Sequence, residues 1–564
     1  MFRISGSGVS RLALRPPVGG PFKKTYTIYP YYLLRAEPDD SIQLDRQIHL
    51  QRMSRTGLID PAHAHFATPR SSSIAILIKN ADAVRRKMGK PMIKPISRQS
   101  RRRFLAQGTA MLGSGMLSAC GGDSIDSIDA SARFADDFVW GVATAAPQIE
   151  SRDGRGRSNW DVFADQPGTI ADGSTNARCI EFEKRYPGDL SLLANAGVQA
   201  FRFSTAWPRV QPDAAGATSE AGLATYDRMV DAMLEQHLTP YLTLFHWDIP
   251  VWAGDFRDRD IAYRLADYAQ IVSRRLGDRV KHWMMLNEPN GVALSGYAYG
   301  ASPPRAQSMG AMFAAIHHQN LAQGLMFQAV RSNVQGAAQI GTTISGRPVH
   351  AATSAAADQA AATQFDAIWH RAFLDPLYGK GYPAELQAAL APLVQPGDMT
   401  TIAANPDFLG VQYYNCFYVK AGANGAGFAL AASPANEIQT MGYPVEPYGM
   451  SEMLLRVHHD YGAPRILVTE TGFAIAEPAP SGGIVDDGSR IDYLASYLNA
   501  AHDAYRQGVR LGGLFCWAGM DSWEWGSGFA KKFGLIHVDP TTQERLPKRS
   551  LAYYSRCIAG NRVA

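Results

Sequence analysis

A chain of 564 residues, 46% hydrophobic and 19% charged, has the length and composition to bury a large core in one big barrel or in several domains. Its formal charge of +4 conceals a split: residues 1–120 hold 20 Lys/Arg against 6 Asp/Glu, a net +14, so the remainder carries −10. That excludes a nucleic-acid-binding main domain, which needs a basic folded face, and the absence of any run of eighteen apolar residues predicts no integral membrane span.

Residues 1–87 mix Arg, Pro, Ser and His without helical or strand periodicity and read as disordered or as an over-extended start. Ser100-Arg101-Arg102-Arg103-Phe104-Leu105 then precedes AQGTAMLGSGMLSAC. A charged region, a modest apolar stretch and a small-residue end follow the plan of an export signal. The paired arginines resemble a twin-arginine signal, and Leu117-Ser118-Ala119-Cys120 resembles a bacterial lipobox, whose cysteine is acylated. The expectation is translation from Met88 or Met92, a signal over 88–120, lipidation at Cys120 and a Gly/Ser/Asp tether over 121–132. The mature protein would then be exported, periplasmic or anchored at the outer membrane, and would meet the membrane through Cys120 alone. The other cysteines, Cys179, Cys416, Cys516 and Cys557, are scattered, with no C-x-x-C and no metal-type spacing to histidine. No metal, cofactor or disulfide framework is expected from them.

From about Arg133 onward short β-prone runs alternate with helical patterns, as in βαβ units. Eight strands are predicted: Phe138–Ala143, Val198–Ser204, Pro240–His246, His282–Asn287, Gln339–Ile344, Phe408–Tyr414, Ile466–Glu470 and Leu514–Trp517. Between them, Tyr226–Leu234 and Asp260–Leu276 carry apolar residues three and four apart, the helical spacing. With no internal repeat and no linker over 133–560, this pattern predicts an α/β chain folded as a single (β/α)8 TIM barrel with extended βα loops.

The functional signal gathers at the ends of these strands. Lys281–Asn290 (KHWMMLNEPN) is an apolar run that stops abruptly at Asn287, Glu288 and Pro289. Proline fixes its own backbone and restricts the residue before it, so this carboxylate is held at the strand end, where a barrel keeps its catalytic groups. Taken alone, Glu288 is as readily a helix-capping residue. Arg465–Gly472 (RILVTETG) repeats the pattern with Glu470. Gln148 follows the first strand, Arg202 lies on the second, His246 and Trp247 end the third, Tyr414 the sixth and Trp517 the eighth. Each has an ordinary structural reading, such as an ion pair for Arg202 or core packing for His246 and the tryptophans. Their gathering at one end of successive strands has no such reading. Two carboxyls flanking a glycosidic bond can divide the chemistry, one protonating the leaving oxygen while the other attacks the anomeric carbon. Aromatic faces suit the C–H face of a sugar, and Gln, His, Asn and Glu offer the directional hydrogen bonds its hydroxyls require.

Residues 134–560 resemble glycoside hydrolase family 1, the β-glucosidase family, through FVWGVATAAPQIE, FRFSTAWPRV, YLTLFHWDIP, KHWMMLNEP, FLGVQYY, ILVTETG and WAGMDSWEWGSGFAKKFGL. The resemblance implies that Glu288 is the acid/base, Glu470 the nucleophile, and Arg202 and Tyr414 the residues touching that nucleophile. It places Gln148, His246, Trp247, Asn287, Gln412, Glu524, Trp525 and Phe533 at sugar-binding positions, with Trp517 as the platform beneath the nonreducing sugar. Arg202 beside Glu470 should hold it ionised, and Glu288, close to that charge, should have a raised pKa and carry the proton. The chain departs from the family's pattern at Pro147, Gln412, Thr471, Ser522-Trp523-Glu524-Trp525 and Phe182, which leaves the sugar open. The expectation is a retaining β-glycosidase with its carboxyls roughly 5–5.5 Å apart, acting on a small-molecule or oligosaccharide β-glycoside, with no oligomeric state assigned. Two alternatives stand beside it. A 6-phospho-β-glycosidase is disfavoured because the carboxylate of Glu524 would repel phosphate, and a non-catalytic sugar-binding protein could share the fold.

Overall fold

Short buried runs that cannot cover their own backbone groups pair with one another, and here they do so in parallel and in a ring. The computed structural model describes residues 133–422, 427–435, 439–475, 477, 478 and 480–564. The expectations for 1–87, for the 88–120 signal with Cys120 and for the 121–132 tether lie outside these described residues.

The strands are β1 (Val139–Ala143), β2 (Ala200–Ser204), β3 (Thr239–Phe245), β4 (His282–Leu286), β5 (Gln339–Ser345), β6 (Phe408–Gln412), β7 (Ile466–Thr471) and β8 (Leu511–Trp517). Each pairs with the next, and β8 closes on β1 with Val139 opposite Gly513 and Ala143 opposite Trp517. All eight predicted strands form, with ends shifted by up to three residues. The largest shift is at β8, which starts at Leu511 and so includes Gly512-Gly513, residues that read as strand breakers in isolation. Closure of the barrel accounts for the second glycine: a Cβ at Gly513 would lie 2.6 Å from the Val139 carbonyl oxygen.

The two-residue period of a strand decides what faces the barrel axis. On β2, Phe201 and Phe203 join the outer core between strands and helices, while Ala200 joins Tyr241, Met284, Phe408, Leu467 and Phe515 in the interior cluster. Arg202 shares the inward face with Ala200 and is fully buried. Gly141 makes room inside: a Cβ there would stand 2.3 Å from the Phe515 ring. Outside, the predicted Tyr226–Leu234 pattern lies within the helix Glu220–Glu235, and Asp260–Leu276 is helical throughout. Ile261, Leu265, Tyr268, Val272 and Leu276 form the buried stripe of that helix, each side chain contributing about 1.5–3 kcal/mol by leaving water. Because every strand is parallel, all eight C-terminal ends open on one side. The loops after β5 and β6 add a small sheet there, Val349–Ala351 beside Phe417–Ala421 beside Phe428–Ala431.

Candidate active site

At the end of β4 the chain changes direction within one residue. Proline biases its predecessor toward extended backbone, yet Glu288 adopts the left-handed conformation, φ 43° and ψ 57°. Its N–H donates to the Thr343 carbonyl of β5 at 3.1 Å, which ties the turn to the neighbouring strand. Trp247 (φ 79°) and Trp525 (φ 47°) are also left-handed, so three non-glycine residues of one site hold a conformation that L side chains rarely adopt. Such strain persists only where packing over-determines it.

Glu470, on β7, lies within reach of three donors. Arg202 Nη1 donates to its Oε1 at 2.6 Å, Gln412 Nε2 to the same oxygen at 2.8 Å, and the Tyr414 hydroxyl to its Oε2 at 2.9 Å. Asn287 Oδ1 accepts from Arg202 at 2.5 Å, Gln412 at 2.6 Å and Thr343 at 3.1 Å. Its acceptor is thereby occupied, which leaves its NH2 as the group it offers to the cavity. The Asn287 carbonyl accepts from Trp247 Nε1 at 2.8 Å.

A cavity of about 490 Å³ opens over these groups, with Glu288, Glu470, Asn287 and Glu524 among its polar groups and Trp517 and Trp525 among its rings. His246, Trp247, Tyr414 and Phe533 also reach its wall, so most of the residues singled out from the sequence converge on one space. Gln148, Arg202 and Gln412 stand behind that wall. Gln148 Nε2 donates to Glu524 Oε2 at 2.8 Å and to the Trp523 carbonyl at 3.1 Å. Gln412, expected at the sugar, is fully buried and donates to the Glu470 carboxylate. Phe182 packs on Phe201 in the outer core, and Pro147 is buried in the first turn after β1. A second cavity of about 590 Å³ shares Trp247, Glu524 and Trp525 with the first but reaches neither Glu288 nor Glu470.

Burial and charge set the proton inventory. Burial, reinforced by the charge of Glu470, pushes Glu288 up to about 8. Burial also raises Glu470, against the opposing pull of the Arg202 guanidinium and the Tyr414 hydroxyl. Of the pair Glu288 keeps the proton, because Glu470 has the cation. The expected effect of Arg202 is therefore present but is set against a burial cost that the sequence did not reveal. Burial raises Glu524 to about 8 as well, with the Gln148 hydrogen bond opposing. His246 is driven well below its ordinary value by burial and then by Arg202, so it is a neutral imidazole. Tyr414 is pushed far up by burial and by Glu470 and remains a hydroxyl donor.

Four residues of the cavity wall were not singled out from the sequence: Ser345, Arg347, Asn415 and Tyr443. Ser345 and Arg347 stand at the end of β5, so the strand-end rule that found the others was available for them. Tyr443 sits in a long loop with no periodic signal. Two clusters of metal-type donors also emerge among the described residues, His350 with Cys416 and Glu452, and Glu477 with Asp521 and His537. None of these six lines the cavity. In the first, burial pushes the Cys416 thiol up to about 12, away from the thiolate a metal needs. In the second, Lys548 and Arg490 already supply the positive charge.

A profile described as "Glycosyl hydrolase family 1" matches residues 130–563. A thermostable β-glucosidase B of Thermobispora bispora is 40% identical over 451 residues, spanning 76% of this chain and 91% of that protein. A bifunctional β-D-glucosidase/β-D-fucosidase of Bifidobacterium breve is 36% identical, spanning 76% of this chain and 98% of that protein. Among solved structures, the β-glucosidase from Thermotoga maritima in complex with deoxynojirimycin aligns with a TM-score of 0.74 at 32% identity, over 77% of this chain and 100% of that one.

Proposed function

The chain belongs to glycosyl hydrolase family 1 and is a glycoside hydrolase of β-glucosidase type, and from that premise we propose that it cleaves terminal nonreducing β-D-glycosides with retention, through a glycosyl ester on Glu470. The reading is carried by the contrast between two buried carboxyls: Glu470 receives Arg202, Gln412 and Tyr414, whereas Glu288 is pushed to about 8. Glu288 gives its proton to the glycosidic oxygen while Glu470 attacks the anomeric carbon. Ester formation removes the negative charge of Glu470, which had been raising Glu288. Glu288, left ionised by its proton transfer, now persists as a carboxylate; it takes a proton from the attacking water, whose oxygen displaces Glu470 from the sugar, and the starting state is restored. Trp517 offers its face to the sugar, and His246, Asn287 and Glu524 meet its hydroxyls.

The phosphorylated-sugar alternative calls for a cation beside the outer hydroxyls. Among the described residues lining the cavity Arg347 is the one Lys or Arg, and Glu524 has Gln148 as its hydrogen-bonding neighbour instead. A neutral glycon is favoured. The relative named for both glucoside and fucoside activity supports a choice among neutral sugars. An NMR time course with an aryl β-glucoside should show the β-anomer of glucose as first product. First release of the α-anomer would sink the retaining mechanism, and cleavage of a 6-phosphoglucoside faster than the glucoside would sink the neutral-glycon assignment.

We also propose that the protein is exported and lipid-anchored, on the strength of SRRRFL followed by LSAC ending at Cys120. In a bacterial host expressing the full chain, Cys120→Ala should move activity from the membrane fraction to the soluble one. Membrane association indifferent to that substitution would exclude the anchor.

A further inference from the structure

The guanidinium of Arg202 holds the nucleophile, and something must hold the guanidinium. Nη1 donates to Glu470 Oε1 at 2.6 Å and to the Thr469 carbonyl at 3.4 Å, and Nη2 donates to Asn287 Oδ1 at 2.5 Å. These contacts lie on the side of the cavity. On the other side Nε donates to the sulfur of Met284 at 3.1 Å. Met284 lies on β4, does not line the cavity, and is fully buried in the interior cluster with Ala200, Tyr241, Phe408, Leu467 and Phe515. Thr243, its register partner on β3, also points its hydroxyl at the sulfur, at 3.6 Å. Donors from β2 and β3 therefore meet at one atom of β4.

A guanidinium is planar, so an acceptor for Nε fixes the plane in which both Nη atoms donate. Arg202 is fully buried, and a buried cationic N–H without an acceptor is costly enough to turn toward another one. A thioether is a neutral, polarizable and weak acceptor. It orients the cation without adding a second anion to compete with Glu470 for its charge. A hydrocarbon of the same size would fill the space and accept nothing.

We propose that Met284 is a positioning residue for the nucleophile, its sulfur turning the Arg202 guanidinium so that Nη1 meets Glu470 and Nη2 meets Asn287. This rests on the retaining reading above, in which Glu470 attacks, and it extends that machinery to a residue outside the cavity.

The test follows kcat/KM for 4-nitrophenyl β-D-glucoside against pH in the wild-type protein, Met284→Leu and Met284→Gln. Leucine conserves the volume but cannot accept a hydrogen bond. In that variant kcat/KM should fall by about tenfold or more, the scale of leaving a buried charged donor unsatisfied. The acid limb of the profile should also move to higher pH, because Arg202 opposes the effect of burial on Glu470 less firmly. Glutamine offers a carbonyl acceptor on a side chain of similar length, and the Thr243 hydroxyl can accept from its NH2. Met284→Gln should therefore return the acid limb to its wild-type position and recover most of the activity, whereas a purely packing role would leave the limb in place in both variants. An acid limb unmoved by Met284→Leu, or equal losses in the Leu and Gln variants, overturns the proposal. If the Leu variant does not fold, Met284→Ile is compared with the Gln variant in its place. Failure of the wild-type protein to cleave the glucoside would instead refute the glycosidase reading itself, so the two failures are distinguishable.

Discussion

Two clusters of buried ionisable groups are built on opposite principles. In the cluster around Asp521, acids and bases meet in pairs: Lys548 Nζ lies 2.8 Å from Asp521 and also contacts Glu477, and Arg490 lies 2.8 Å from Glu477 and also contacts Asp487. Burial acts to raise Asp521, but the charge of Lys548 and the neighbouring basic groups hold it well below the usual carboxylate range. In the active site three carboxyls, Glu288, Glu470 and Glu524, share a space in which Arg202 touches Glu470 alone. Two of the three are pushed to about 8. Balanced charge yields groups that stay ionised and hold loops together. Unbalanced charge yields groups that exchange protons near neutral pH, which is what catalysis needs and what stability opposes.

Substitutions should separate the two clusters, and the largest effect falls on the unbalanced one. Glu470→Ala should reduce turnover of aryl β-glucosides by the folded protein by about 10⁴- to 10⁶-fold, the scale of losing a covalent nucleophile. Glu288→Ala should be far milder on a substrate whose phenol leaves without protonation. Equal losses on good and poor leaving groups would break the assignment of roles.

The balanced cluster should answer in the opposite currency of measurement, with stability falling and chemistry spared in the folded fraction. Lys548→Met strands Asp521 and Glu477 without their shared cation and should cost about 3–5 kcal/mol, the penalty for breaking a buried ion pair from one side. Stability unchanged in urea unfolding would show that the paired cluster is no scaffold.

Within the cavity, Glu524→Ser should lower kcat/KM for a plain β-glucoside by more than about tenfold, because the carboxyl proposed to meet the outer hydroxyls is replaced by a shorter group. A loss confined within twofold would remove Glu524 from sugar binding.

The smallest effect sharpens the comparison most, since it depends on sign. Glu288 moves from an ordinary value of 4.5 to about 8 on folding, so between those values the folded chain binds more protons than the unfolded one. Its contribution to stability therefore falls as pH rises from about 4.5 to about 8. Glu288→Gln removes that penalty, and its gain in Tm should be near zero at pH 4.5 and grow to about 2–4 °C or more by pH 8. Asp521, depressed on folding, should do the reverse, its stabilisation present above the usual carboxylate range and lost as pH falls below it. Parallel trends for Glu288→Gln and Asp521→Asn would erase the distinction between the clusters.

The sequence by itself determined the eight strands and the two carboxylates at strand ends, because each is written in a local run or a local stop: an apolar run halted by Asn287-Glu288-Pro289, another by Glu470. Even so, Gly512-Gly513 read as the edge of a strand until β1 closed against it, since the reason for a glycine lies in the backbone opposite. Only the tertiary structure decided the chemistry of those carboxylates. Arg202 reaches Glu470 across 268 positions of chain, and Gln412 reaches Asn287 across 125. It also decided that Gln412 lies against the Glu470 carboxylate, that Glu288 turns left-handed before a proline, and that Arg347 shares a wall with Glu288. Periodicity is a property of neighbours along the chain, whereas desolvation and charge depend on neighbours in space, and a barrel brings those from eight different strands.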